Sequence, residues 1–343
     1  MRVTRRRVLE AGALLPVMAA AGGIARARAT DEPSAILLAA PPVHDDYYRE
    51  RRREILDFHV GFARRAEERE PVLVITDAAS KREFGDRLAP GRTLAGTAAD
   101  IWLVDFAPVQ AAGRLVKFVH RPNYLDNATG RWIDRWFRRW LEEIGIEFRT
   151  LDLVLDGGNL VYDGASQAVV TEQVLVDNRG ERAETLRDDL RRALGLDRLA
   201  VIPREPGDIT GHADGMVKWL HPGLLAVSSY DEPLRSKVLG ALSRDFPGVE
   251  LIEVPYAPTQ GLWRGWPTAS GDYVNALTTE RAFYMPVYGL PADDAAVAAF
   301  TRISTREVVA IDASGVSVMG GAVHCLSWYV TGEPAARLLA AAT

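Results

Sequence analysis

LLAVSSYDEPLRSKVLGALSRDFPGVELIEV, residues 224–254, carries the fold class in a single stretch. Leu224 to Ser228 is a short apolar run of strand length, and Val249 to Val254 also reads as a strand. Leu234 to Asp245 between them has a helical pattern. Upstream, Ile36 to Ala40, Val72 to Thr76, Ile101 to Phe106, Leu115 to Val119, Phe148 to Leu155, Gln167 to Val176 and Arg198 to Ile202 read as strands. Downstream, strands are expected near Arg281 to Val287, at Val308 to Ile311 and at Val316 to Val318. Helical patterns fall at Arg182 to Leu194 and Ala292 to Arg302. A charged amphipathic helix is expected within Asp46 to Glu70, carrying Ile55, Leu56, Phe58, Val60 and Phe62 and stopped by Pro71. Short strands, often paired, alternating with helices indicate α/β architecture. Gly130 to Ile144 spaces Trp132, Ile133, Trp136, Phe137 and Trp140 as one helix face, which predicts a core-facing stripe. No internal repeat is visible, and residues 30–343 are expected to form one compact domain.

The bulk numbers exclude some functions. The 343 residues are 48% hydrophobic and 25% charged, and the net charge of -5 gives no electrostatic case for nucleic acid. The single cysteine, Cys325, cannot form an intramolecular disulfide; a lone cysteine is a buried small hydrophobe or a reactive thiol. Residues 1–29 read as an export signal. Arg5-Arg6-Arg7 precede an apolar run from Ala11 to Ala25, and Ala27-Arg28-Ala29 supplies an A-x-A cleavage site. The paired arginines resemble a twin-arginine signal, which predicts the twin-arginine machinery as partner and a periplasmic or secreted location. The apolar run is short for a bilayer span, and no later segment reaches spanning length without a charge, so the mature chain is expected to have no membrane segment.

Three segments place polar residues in apolar or glycine-rich surroundings. Asp105 ends the apolar run from Ile101, either as a carboxylate taking backbone hydrogen bonds or as one awaiting a cation. In Gly211-His212-Ala213-Asp214-Gly215 the glycines permit a tight turn. There His212 offers acid–base chemistry near neutral pH and Asp214 offers a charge; a solvent-facing turn pair is the plainer reading. Gly320 to Leu326 reads as a loop delivering Cys325, whose reactive form, the thiolate, needs a nearby positive charge or base. On an extended chain the neighbouring His324 points away, which leaves His212 as the better partner.

Taken in order, these segments resemble the agmatine deiminase and bacterial peptidylarginine deiminase family. The resemblance rests on Trp102-Leu103-Val104-Asp105, Asp156-Gly157-Gly158-Asn159, Gly211-His212-Ala213-Asp214, Asp272-Tyr273-Val274-Asn275 and Gly320 to Cys325. It implies a pentein α/β propeller, five ββαβ-like units around a pseudo-fivefold axis, with no cofactor and no metal. It implies Cys325 as nucleophile on a guanidinium carbon, through a thiouronium adduct. His212 would act as proton donor and then base, and Asp105 and Asp214 would hold the guanidinium. Trp102, Gly158 and Asn275 are the implied substrate-binding neighbours. Val104, Met319 and Ala322 depart from the family pattern. Arg121, in His120-Arg121-Pro122-Asn123, resembles an arginine that recognises the carboxylate of a C-terminal arginine, or is a surface residue before a proline. The expected reaction turns a guanidinium group into a ureido group plus ammonia, on peptidylarginine, with a C-terminal arginine favoured, or on agmatine. The partner is therefore a small guanidinium compound or an arginine-containing peptide. An amidinotransferase and a non-catalytic exported guanidinium-binding protein are the alternatives.

Overall fold

The computed structural model describes residues 32–343; the expected signal at residues 1–29 lies outside them. The stretch that opened the sequence reading forms strand Leu224–Ser228, helix Leu234–Asp245 and strand Glu250–Val254. The two strands pair in parallel, and Val217–His221 adds antiparallel to the first. Leu224–Ser228 is buried along its whole length, which explains its unbroken apolar run: both faces are covered. The helix turns Val238, Ala241 and Leu242 inward at the i, i+3, i+4 spacing of one face.

That unit recurs. Val109–Ala111, Arg114–Val119, helix Asn127–Glu143 and Arg149–Val154 make a second copy. Val161–Tyr162, Gln167–Thr171, helix Ala183–Leu194 and Arg198–Ile202 make a third. Leu277–Thr278, Ala282–Val287, helix Asp293–Ile303 and Glu307–Asp312 make a fourth. The fifth is assembled from opposite ends of the chain. Trp328–Thr331 pairs antiparallel with Ser34–Ala39, which runs through helix Arg52–Ala66 to parallel Val72–Thr76, with Thr93–Ala95 added outside. In every copy the first pair is antiparallel and the second parallel through a helical crossover. The repeat escaped the sequence because it is one of pairing and burial, not of residue identity.

Several expected elements change. Ile101 to Phe106 is not a strand: Leu103–Phe106 is one helical turn, and Asp105 faces the backbone of the next connection. A four-residue apolar run does not distinguish the two. Val316 to Val318 is not a strand either. Helix Ser314–Ser317 starts there, with Asp312 accepting from the Ser314 amide at 3.0 Å and its hydroxyl at 2.6 Å. The strand from Gln167 ends at Thr171, and Gln173–Asp177 is helical. The tryptophan-rich helix begins earlier than its apolar pattern, because Asp126 caps it through the amides of Ala128 (2.9 Å) and Thr129 (3.0 Å). Ile133, Phe137 and Trp140 are buried as expected, and Trp140 Nε1 donates to the Ala95 carbonyl at 3.0 Å. Trp132 departs from the core stripe and is 52% exposed. Among the described residues no helix is long and apolar enough to cross a membrane.

Candidate active site

Each of the five connections between consecutive units delivers site residues. Trp102 and Asp105 lie between Thr93–Ala95 and Val109–Ala111, and Asp156 and Gly158 between Arg149–Val154 and Val161–Tyr162. His212 and Asp214 lie between Arg198–Ile202 and Val217–His221. Asn275 precedes Leu277–Thr278, and His324 and Cys325 precede Trp328–Thr331. Side chains from distant parts of the sequence thereby meet at one cavity of about 1060 Å³, whose wall includes Trp102, Asp105, His212, Asp214, Asn275 and Cys325.

Cys325 sits in the short helix Val323–Leu326. Asn275 holds it from two sides. Its Nδ2 donates to Cys325 Sγ at 3.0 Å, while its Oδ1 accepts from the amides of His324 (3.2 Å) and Cys325 (3.3 Å). The thiol lies 3.5 Å from Asp214 Oδ2. Burial first, and then the negative charges of Asp214 and Asp105, push the thiol well above its ordinary range. The free site therefore keeps sulfur protonated, and only an added positive charge reverses that balance.

His212 is buried among carboxylates. Its Nε2 is 3.3 Å from Asp156 Oδ2 and its Nδ1 is 3.6 Å from Asp105 Oδ1. Burial would lower its pKa, but Asp105, Asp156 and Asp214 outweigh it and lift the ring to about 10. It is an imidazolium at neutral pH, poised to give a proton. Asp156 is in turn gripped by His120 Nδ1 at 2.7 Å and by the Tyr124 hydroxyl at 2.5 Å. Burial would raise its carboxyl, yet His120 and His212 hold it below the usual carboxylate range. Asp105 goes the other way. Burial lifts it to about 7; His212 opposes the rise, and Asp156 and Asp214 add to it. Asp214 accepts from His324 Nδ1 at 2.8 Å; burial would raise its carboxyl, but His324 and His212 keep it low.

Two glycines make this density possible. The Gly158 amide donates to Asp105 Oδ1 at 3.2 Å, and a Cβ there would lie 2.5 Å from His212 Nδ1 and 2.7 Å from Asp105 Oδ1. A Cβ on Gly321 would lie 2.5 Å from the Trp102 ring and 2.8 Å from Cys325 Cβ. Any side chain at either position would separate the reactive groups. Among the described residues no group of three or more His, Cys, Asp or Glu is placed to hold a metal ion.

The model of the Porphyromonas-type peptidyl-arginine deiminase family matches residues 27–330. The chain belongs to that family. It is thereby a hydrolase of carbon–nitrogen bonds, a deiminase. The agmatine deiminase of Pseudomonas fluorescens is 25% identical over 317 residues, 78% of this chain and 85% of that enzyme. The agmatine deiminase of Pseudomonas aeruginosa is 28% identical over 227 residues, 57% of this chain and 62% of that enzyme. A solved agmatine deiminase of C. jejuni superposes with a TM-score of 0.75 at 18% identity, covering 87% of this chain and 93% of that one. At that identity the likeness shows the α/β fold.

Within this deiminase the sequence-expected residues Cys325, His212, Asp105, Asp214, Trp102 and Asn275 all reach the cavity wall. Asn275 contacts the nucleophile, and Gly158 stands behind Asp105 and His212, off the wall. Arg121 is a correction: it is exposed and does not line the cavity, so it is not placed to clamp a substrate carboxylate there. Pro122 beside it is buried, and His120 on its other side is buried as well. His324 is a second correction. The chain is helical at Cys325, not extended, which lets His324 reach Asp214. Sequence reasoning gave no role to Asp156, although it headed one of the quoted motifs, and missed His120 and Tyr124 altogether. The available signal was a histidine directly after the apolar strand Arg114–Val119.

Proposed function

We propose that this deiminase acts on a small cationic guanidinium compound, agmatine being the simplest of that class, and yields a ureido product and ammonia. The observation that carries the reading is the charge of the wall: seven Asp or Glu side chains line the cavity, and no Lys or Arg does. Agmatine brings a guanidinium and no carboxylate. A free arginine would bring its carboxylate into a wall that carries no Lys or Arg and whose imidazolium, His212, is already held by Asp105 and Asp156.

In this reading Asp105 and Asp214 hold the planar guanidinium, which supplies the positive charge the thiol lacks. Cys325 Sγ, which gives up its proton to solvent as the cation enters, attacks the guanidinium carbon. The His212 imidazolium gives its proton to the departing nitrogen, ammonia leaves, and a thiouronium adduct remains on sulfur. Neutral His212 then takes a proton from water, the oxygen adds to the same carbon, and the carbon–sulfur bond breaks. Asn275 aims the sulfur, and Asp156 keeps His212 charged and oriented.

The test is ammonia release from agmatine with no added amine, followed by intact-mass analysis during turnover for an adduct on Cys325. Turnover that requires an amine acceptor would favour an amidinotransferase, and binding without ammonia would leave only a binding protein. We also propose that the five units ring a pseudo-fivefold axis, which the repeated pairing supports. Residues 1–29, by their paired arginines and A-x-A site, are proposed as a twin-arginine-type signal that places the enzyme in the periplasm or outside the cell. Amino-terminal sequencing of the exported protein checks this; a mature chain beginning at Met1 would refute it.

A further inference from the structure

The large apolar side chains that stand exposed among the described residues are Tyr47 (39%), Trp132 (52%), Ile209 (39%) and Leu262 (75%). All four line the active-site cavity. They come from separate segments. Tyr47 precedes the first long helix, Trp132 is on helix Asn127–Glu143, Ile209 is in the connection that carries His212, and Leu262 is on the hairpin Leu262–Trp263 / Trp266–Pro267. Single exposed apolar residues scattered over a surface need no explanation, but their convergence on one opening does. Aromatic contacts run from that rim to the catalytic floor. Trp266 Nε1 donates to the Tyr47 hydroxyl at 2.9 Å, Trp266 packs edge-on against Tyr124 at 5.5 Å, and Tyr124 packs against His212 at 6.0 Å. The cavity, about 1060 Å³, is at the upper end of the ~300–1,000 Å³ typical of drug-sized ligands, and a bare guanidinoalkyl chain leaves most of it to water.

We infer that the rim is a subsite for an apolar group carried on the end of the substrate remote from its guanidinium. The substrate class is an acyl or aryl derivative of a guanidinoalkylamine, uncharged at the end remote from its guanidinium and without a carboxylate, since the wall has no Lys or Arg and its His212 is already held by Asp105 and Asp156. The inference rests on the deiminase function proposed above and extends it outward from the floor. The apolar arm displaces water from Trp132 and Leu262, while the charged head meets Asp105 and Asp214 unchanged.

The experiment compares kcat/KM for ammonia release from agmatine and from its N-benzoyl amide, in the wild type, Trp132→Ala and Leu262→Ser. Benzoylation is expected to raise kcat/KM about tenfold, the factor that roughly 60 Å² of newly buried apolar surface supports. Each variant is expected to remove most of that preference, lowering the benzoylated substrate's kcat/KM several-fold more than agmatine's. The two variants sit on separate elements and both side chains are exposed, so a folding defect in both is not the explanation of a shared result. Agmatine turnover with no preference for the benzoyl amide, or a preference that both variants leave intact, overturns the inference and leaves the function standing. A rim covered by a second copy of the chain would give the same lack of preference, with Trp132→Ala lowering the dimer fraction in sedimentation, and that also overturns it. No ammonia from either compound overturns the underlying function, and the inference with it.

Discussion

The floor and the mouth of the cavity are built on opposite principles. On the floor, Asp156, Asp214 and His212 are buried and Asp105 nearly so, and each is held by a named partner. At the mouth, Tyr47, Trp132, Ile209 and Leu262 are apolar and exposed. Groups on the floor have been taken from water before any ligand arrives, so charge is preorganised there and a cation gains the full field. Mouth groups still face water and gain only when something apolar covers them. The contrast separates two kinds of selection: the floor selects for charge, and the mouth for shape and size.

Substitutions should respect that division. Cys325→Ser is expected to lower kcat on the order of 10⁴-fold or more on any substrate, because a hydroxyl is a far weaker nucleophile and nucleophile and acid act as a unit. Ammonia release measures the loss, and circular dichroism should show the fold retained. Near-normal turnover by the serine variant would sink the covalent route. Asp214→Asn follows, with about one to two decades lost in kcat/KM, the ~1.5–3 kcal/mol of a charged hydrogen bond. Asp105→Asn should lose a similar amount. Wild-type kcat/KM in either variant would remove that carboxylate from the guanidinium site.

Acid–base behaviour gives a smaller effect that sharpens the contrast. Asp105 is neutral below about 7 and ionised above it, and His212 keeps its proton up to about 10. In the kcat/KM profile Asp105 therefore adds a rise through pH 7 and His212 a fall near pH 10, about tenfold for each unit beyond either limb. Ionisation of the Cys325 thiol, held well above its ordinary range, continues the rise above pH 7. Asp105→Asn should erase the rise near pH 7 and move the high-pH fall to lower pH, because the Asp105 charge helps hold His212 protonated; a profile unchanged in that variant would assign the acid limb to another group. The smallest effect is at Arg121, which is on neither the floor nor the wall. Arg121→Ala should stay within about twofold on agmatine and on peptides ending in arginine alike, as exposed positions usually do. A selective loss on the peptides would return Arg121 to substrate recognition.

How legible each feature was depended on whether its cause is local. The α/β alternation was readable because Leu224–Ser228, an apolar run, and Glu250–Val254, rich in Leu, Ile and Val, are of strand length and flank a helical period. Cys325, His212, Asp105 and Asp214 were legible as polar residues in glycine-rich or apolar context, and the order of their motifs resembled a family. Their distances were not, because each lies in a different connection between units. Asp156 shows the limit. Its role follows from contacts with His120, Tyr124 and His212, which are brought to it by three separate segments. His324 was misjudged because a single turn of helix reverses where a side chain points, and four residues carry too little periodicity to show it. The five-unit repeat was hidden for a related reason, since one unit is divided between Ser34–Ala39 and Trp328–Thr331.

That divided unit sets the order in which the molecule can come alive. Cys325 immediately precedes Trp328–Thr331, the strand that pairs back onto Ser34–Ala39 near the start of the described chain. During synthesis the units behind Cys325 can form as they leave the ribosome, since most of their pairings are local. The thiol has no seat until the last strand has been released and found its distant partner, a contact spanning nearly the whole length of the chain. The nascent polypeptide is thus a guanidinium site without a nucleophile, and reactivity arrives only with closure of the circle.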